Sequence, residues 1–137
     1  MTRSPSRLAV GVLAFLGIVN LVRGSIHLFA PDGGLTDIAG LDLGAARGLA
    51  LFFIGAVGIG QITLGGVDLL VATRHRQMVL PLLLVHVGEL ALGLFLFFLW
   101  RPLPVAVPGQ YGAAFSFALV SGITVRELLR GRANGAS

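Results

Sequence analysis

The chain has no cysteine among its 137 residues, which excludes disulfides, iron–sulfur clusters and thiol nucleophiles and leaves the redox compartment unread. It has no lysine either: all ten basic residues are arginine, so Schiff-base chemistry has no amine to use. Charge of any kind is scarce. Charged residues form 12% of the chain, against about 25% in a typical soluble domain. What fills the space is apolar: 55% of residues are hydrophobic and the mean hydropathy is +0.92. The length suits one domain. A sequence pI near 11.4 would suggest nucleic acid, but most of the arginines lie just beyond apolar runs, where they act as topology signals rather than as a phosphate-binding face. No nucleic-acid partner is expected.

Four apolar segments long enough to cross a bilayer follow one another at 8–30, 44–72, 78–100 and 108–128. A hydrocarbon core of roughly 30 Å takes about 20 helical residues. Strand-like alternation is absent, and backbone groups in lipid must be satisfied internally, so these segments predict an all-α, integral membrane four-helix bundle. Pro31 and the Asp32-Gly33-Gly34 turn stop the first segment. Asp42 is placed to cap the second. Arg101-Pro102 closes the third, and Pro108 suits the first turn of the fourth. Asn20 and Arg23 interrupt the first segment, and Leu28 is too large for a signal-peptidase site before Pro31, so the segment is expected to remain as an uncleaved span.

With four crossings, Arg3, Arg7, Arg74, Arg76, Arg126, Arg130 and Arg132 share one side. Arg101 and Arg47 are on the other, with Asp32, Asp37 and Asp42. The positive-inside rule then places both termini in the cytoplasm of a cell whose inner membrane holds the protein. Residues 31–43 form the one long connection, whose three aspartates lack EF-hand spacing, with Asp32 and Asp42 reading as turn and cap residues. Trp100 and Tyr111 fall at the outer interface, where aromatic belts form. Asp68, near the cytoplasmic boundary, is expected to make a solvated pair with Arg74 or Arg76.

Inside the spans sit a few polar residues, and depth along a helix, at about 1.5 Å per residue, groups them. Asn20, Arg23, Gln61, His86 and Glu89 fall in one central slab, at depths of roughly 10 to 21 Å from the outer ends of their helices. Asn20, Arg23 and His27 recur at helical spacing on the first helix. Gly55, Gly58, Gln61, Gly65 and Asp68 share an arc of the second, and His86, Glu89 and Gly93 form a stripe on the third. Small residues let backbones approach and polar ones hydrogen-bond across the contact, so helices 1 and 2 are expected to pack along Gly55, Gly58 and Gly65. Arg23 and Glu89 differ by about 6 Å in depth and are expected to pair. Two readings follow: a static salt bridge that locks helices, or a proton-exchanging Glu89 with His86 one turn away.

Neither metal nor cofactor is expected. The His86-x-x-Glu89 spacing supplies two ligands, but no second such motif faces it. His27 and His86 differ by about 17 Å in depth, too far for a bis-histidine haem.

The first helix ends Gly24-Ser-Ile-His27-Leu-Phe-Ala-Pro31, a loop follows, and Arg47-Gly48 opens a glycine-rich second helix. In this order of features the first half of the chain resembles the DoxX-like small four-helix membrane proteins and their uncharacterised relatives. The resemblance implies architecture. Some relatives are associated with quinone-linked sulfur oxidation, and the resemblance carries over no active-site residue.

Three functions are in competition. The favoured one is a small multi-pass protein with an accessory or structural role, in contact with the lipid bilayer and with a second copy or another membrane protein. The second is an enzyme or quinone-linked redox subunit with His86 and Glu89 in proton transfer. The third is a proton-coupled transporter, against which the lack of duplicated halves or broken helices speaks.

Overall fold

The structure is a computed structural model and describes residues 4–102 and 106–133, except for the side chains of Arg132 and Ala133. Arg3 and the side chain of Arg132, counted among the topology signals, lie outside the described residues. The described residues are helical and contain no strand. The four main helices are α1 (Arg7–Phe29), α2 (Arg47–Arg74), α3 (Val79–Phe95) and α4 (Pro108–Ala133). A 3₁₀ turn, Gly44–Ala46, leads into α2, and another, Arg76–Met78, leads into α3. All four helices, with these turns included, are long and apolar enough to cross a membrane.

Each helix end has a local cause. The Ser6 hydroxyl accepts the Ala9 N–H at 3.1 Å and so caps α1. After α1 the backbone turns through Gly33 and Gly34, both at positive φ, which only glycine adopts without strain. Asp42 Oδ1 accepts the Gly44 N–H at 3.1 Å where α2 begins. Pro108 opens α4, and Gln110 Oε1 accepts the Val107 N–H at 3.2 Å, the return half of a capping box. At its far end α3 widens into a π turn, Leu96–Trp100. There the Arg101 N–H reaches the Leu96 carbonyl at 2.9 Å, and the Phe95 and Trp100 rings stack 5.9 Å apart. Pro102 then removes the α region from Arg101, which sits at φ −139°.

The chain divides into two compact units. The first comprises Met1–Leu13 and Val71–Ser137. In it α3 packs against α4, and the buried apolar residues are Ala9, Leu13, Val79, Leu83 and Val120 with a few neighbours. The second unit is Ala14–Leu70. Its two helix segments run antiparallel and meet backbone to backbone, with Gly17 facing Gly65 and Gly24 facing Gly58. A Cβ at Gly65 would stand 2.6 Å from the Gly17 carbonyl oxygen, and one at Gly58 would stand 2.7 Å from that of Gly24. Both pairs repeat at an interval of seven residues, which keeps the contact on one stripe of each helix. The hydrogen that replaces each side chain points at a carbonyl oxygen, the geometry of a Cα–H···O contact. Gly55 is not part of this seam: a Cβ there would make only an ordinary 4.0 Å contact with Leu28. It lies beyond the last close crossing at Gly24 and Gly58, where the helices no longer need a glycine.

Candidate functional site

The second unit holds Asn20, Arg23 and Gln61. Asn20 Nδ2 donates to Asp68 Oδ2 at 3.4 Å, and the Asp68 side chain is completely buried. Asp68 is therefore not the solvated boundary residue that its depth suggested. The seam explains why: a Cβ at Gly17 would lie 2.9 Å from the Asp68 Cβ, so the missing side chain on α1 makes room for Asp68. Depth along α2 locates the residue along the helix axis and says nothing about which face it takes. Gln61 is half-buried, and its Oε1 is shielded from solvent without a hydrogen-bond partner among the described residues. Arg23 is exposed. His27, which shares their helical stripe, turns to the loop instead, and its Nδ1–H donates to the Gly33 carbonyl at 2.8 Å.

That loop is organised by Asp32. Its Oδ1 accepts the Gly34 N–H at 2.9 Å, and its Oδ2 accepts those of Asp37 at 2.8 Å and Thr36 at 3.0 Å. These donors, the Asp37 N–H foremost, hold the Asp32 carboxyl below the usual carboxylate range. The residue is structural: its carboxylate is used up in closing the turn.

The first unit holds His86 and Glu89, one turn apart on α3. The His86 Nδ1–H donates to Glu89 Oε2 at 3.3 Å, with side-chain exposures of 3% and 55%. A buried imidazole and an outward carboxylate in contact can pass a proton between Nδ1 and Oε2. The expected pairing of Arg23 with Glu89 joins residues of different units; within its own unit Glu89 is held by His86. Among the described residues no three His, Cys, Asp or Glu side chains are grouped to hold a metal ion.

A third polar centre was not anticipated. Glu127, on α4, has a side chain only 8% exposed. Its Oε2 accepts the Ser6 N–H at 3.0 Å, and both its oxygens accept from one Arg130 nitrogen, at 3.1 and 3.3 Å. A capping box normally takes its acceptor from the third residue of the same helix. Here that residue is Ala9, and a carboxylate 121 positions away replaces it. The available signal was a serine ahead of an apolar run without the glutamate that should accompany it.

Comparison of the chain with protein-family models, with curated proteins and with solved structures gives no match.

Proposed function

We propose that this is a four-span protein of the inner membrane, with both termini in the cytoplasm, that acts as an accessory or structural component and works as an assembly of copies of itself. Two features support the membrane setting. Large apolar side chains such as Phe15, Phe52, Leu92, Leu99 and Phe115 point outward, while Asp68, His86, Gln110 and Thr124 are buried. That reverses the usual water-soluble arrangement, in which extended apolar patches are covered. The arginine distribution supports the orientation. The DoxX-like resemblance stays part of the proposal as a statement about architecture.

The observation that carries the assembly reading is the 55% exposure of the Glu89 side chain. Glu89 lies in the interior of α3, flanked on the same exposed side by Val85, Gly88, Leu92 and Phe95. An acidic side chain facing lipid at mid-span costs about 2.5–3.5 kcal/mol. A protein surface removes that cost. Gly88 leaves open space where a side chain would be, and Glu89 projects next to it. The stripe thus offers both a gap and a projection, as a two-fold contact between identical surfaces requires.

The test is the oligomeric state in lipid nanodiscs. Wild-type protein should be multimeric, and both Gly88→Leu and Glu89→Leu should dissociate it while the helices remain intact by circular dichroism. A wild-type monomer defeats the proposal, and an assembly only with a different membrane protein replaces the second copy by that partner. The His86–Glu89 hydrogen bond favours a second reading, in which the pair exchanges protons for a quinone-linked enzyme or a transporter. In that case Glu89→Gln would leave assembly unchanged and abolish pH-dependent quinone binding or proton flux.

A further inference from the structure

A cavity of about 220 Å³ opens at one end of the first unit, where the polar ends of three helices meet. Ser4 and Pro5 enter it from the residues before α1, Arg76 and Gln77 from the turn before α3, and Glu127 and Arg130 from the last turns of α4. We infer that this cavity binds the phosphate of an anionic phospholipid headgroup. The inference rests on the membrane reading above.

The charge balance favours an anion. Arg76 is exposed and forms no ion pair among the described residues. Glu127 is the one acidic lining residue, and its carboxylate is already engaged by the Ser6 N–H and by Arg130, with Arg126 at 3.9 Å. The two lining arginines therefore leave a net positive charge, which the Ser4 hydroxyl and Gln77 amide supplement with neutral donors. The remaining wall is apolar, formed by Pro5, Leu80 and Pro81. A phosphate joined to glycerol needs that combination of a basic end and an apolar side, whereas a free phosphate does not need the apolar wall.

Position and size agree. Every lining residue lies within two turns of a helix end or beyond it, near the level at which a spanning protein meets headgroups. Met78, Leu84 and Leu128 are exposed on the adjoining turns and offer a surface for acyl chains. The volume is below the 300–1,000 Å³ of pockets that enclose a whole drug-sized ligand, so the cavity takes a headgroup and leaves the tails in the bilayer. Basic recesses between helix ends are where anionic headgroups are held.

The experiment titrates the purified full-length protein in neutral detergent, by native mass spectrometry. The probes are dihexanoyl phosphatidylglycerol, dihexanoyl phosphatidylcholine and inorganic phosphate. The anionic lipid should bind saturably and more tightly than the other two. Arg76→Gln should weaken it roughly fivefold, the effect of one surface arginine, Arg76→Lys should restore most of the loss, and Arg101→Gln should change nothing. Equal binding of both lipids, or no effect of Arg76→Gln, overturns the inference. Binding of inorganic phosphate as tight as the lipid's overturns the lipid assignment. Carbonate extraction of cell membranes separates this failure from that of the membrane reading. Protein retained in the membrane without lipid preference defeats the headgroup site alone, and protein released by carbonate defeats both.

Discussion

Adding one methyl group at Gly58 should destabilise the protein, while adding one two residues later at Gly60 should not. Both glycines lie in α2 and differ only in what faces them. A Cβ at Gly58 would be 2.7 Å from the Gly24 carbonyl oxygen and 3.0 Å from the Leu28 nitrogen, and a backbone cannot swing aside as a side chain can. At Gly60 and Gly66 nothing lies within 4 Å. Overpacking of a tight contact costs about 1–3 kcal/mol, and replacing a helical glycine by alanine returns about 0.5–1 kcal/mol. Gly58→Ala should therefore lose up to about 2.5 kcal/mol net, and end about 1–3 kcal/mol below the same change at an open helical position. Gly60→Ala and Gly66→Ala should be neutral or gain up to about 1 kcal/mol. In a thermal melt in detergent, at about 3–5 °C per kcal/mol for a chain of this size, the two classes should separate clearly. Gly24→Ala meets the Gly58 oxygen at the same 2.7 Å. Once one methyl has parted the helices the second finds room, so the double variant should lose less than the sum of the two losses. Equal melting temperatures for Gly58→Ala and Gly60→Ala would refute the close seam, and strict additivity of the pair at 24 and 58 would refute their being one contact.

Glu127→Ala should loosen the start of α1, because the Ser6 N–H loses its carboxylate acceptor and Arg130 loses the carboxylate that ties it there. Hydrogen bonds to a charged group contribute about 1.5–3 kcal/mol, and amide exchange in the first turn of α1 should accelerate while that of the α2 interior does not. Asp32 gives a pH dependence in the loop. Its folded carboxyl is held below the ordinary 3.8, so the charged form is the stabilising one. The contribution is complete above 3.8 and is lost as pH falls below that through the folded value. Exchange protection at the Gly34, Thr36 and Asp37 amides should follow that course in the wild type. In Asp32→Ala it should be absent at every pH, and protection that persists unchanged in this variant would refute the role.

How much of this was legible in the sequence depends on how far apart the interacting residues are. Helix ends were legible because their signals are local: Pro31, Asp42 and Pro108 act within a few residues of where they stand. The glycine arc on α2 was legible in period but not in partner. Gly58 and Gly65 belong to the seam because Gly24 and Gly17 come opposite, and Gly55, of equal promise in the sequence, has no glycine facing it. Depth counting gave one coordinate of three, and it misjudged Asp68, which is buried with its Cβ where Gly17 leaves out a side chain. Glu127 was missed because its function lies in a bond across 121 positions. Flanked by Arg126 and Arg130, it reads as an ordinary charged residue at a helix end.

The two glutamates stand in opposite situations, and the contrast bears on what the working molecule is. Glu127, near a helix end where water is close, is 8% exposed and is met by a backbone donor and an arginine. Glu89, in the interior of α3, is 55% exposed, with the His86 imidazole at 3.3 Å. A chain optimised to stand alone in lipid would do the reverse and bury the carboxylate farthest from water. The hydrogen bond from His86 contributes about 1.5–3 kcal/mol, comparable with the insertion cost of about 2.5–3.5 kcal/mol, but it leaves the outer half of the carboxylate uncovered. Mid-span carboxylates are retained where they face protein or water. A second copy of α3 would cover this one without enlarging the chain. On our proposal the isolated chain is therefore one part of the functional unit, and the uncovered half of Glu89 marks where the other part joins.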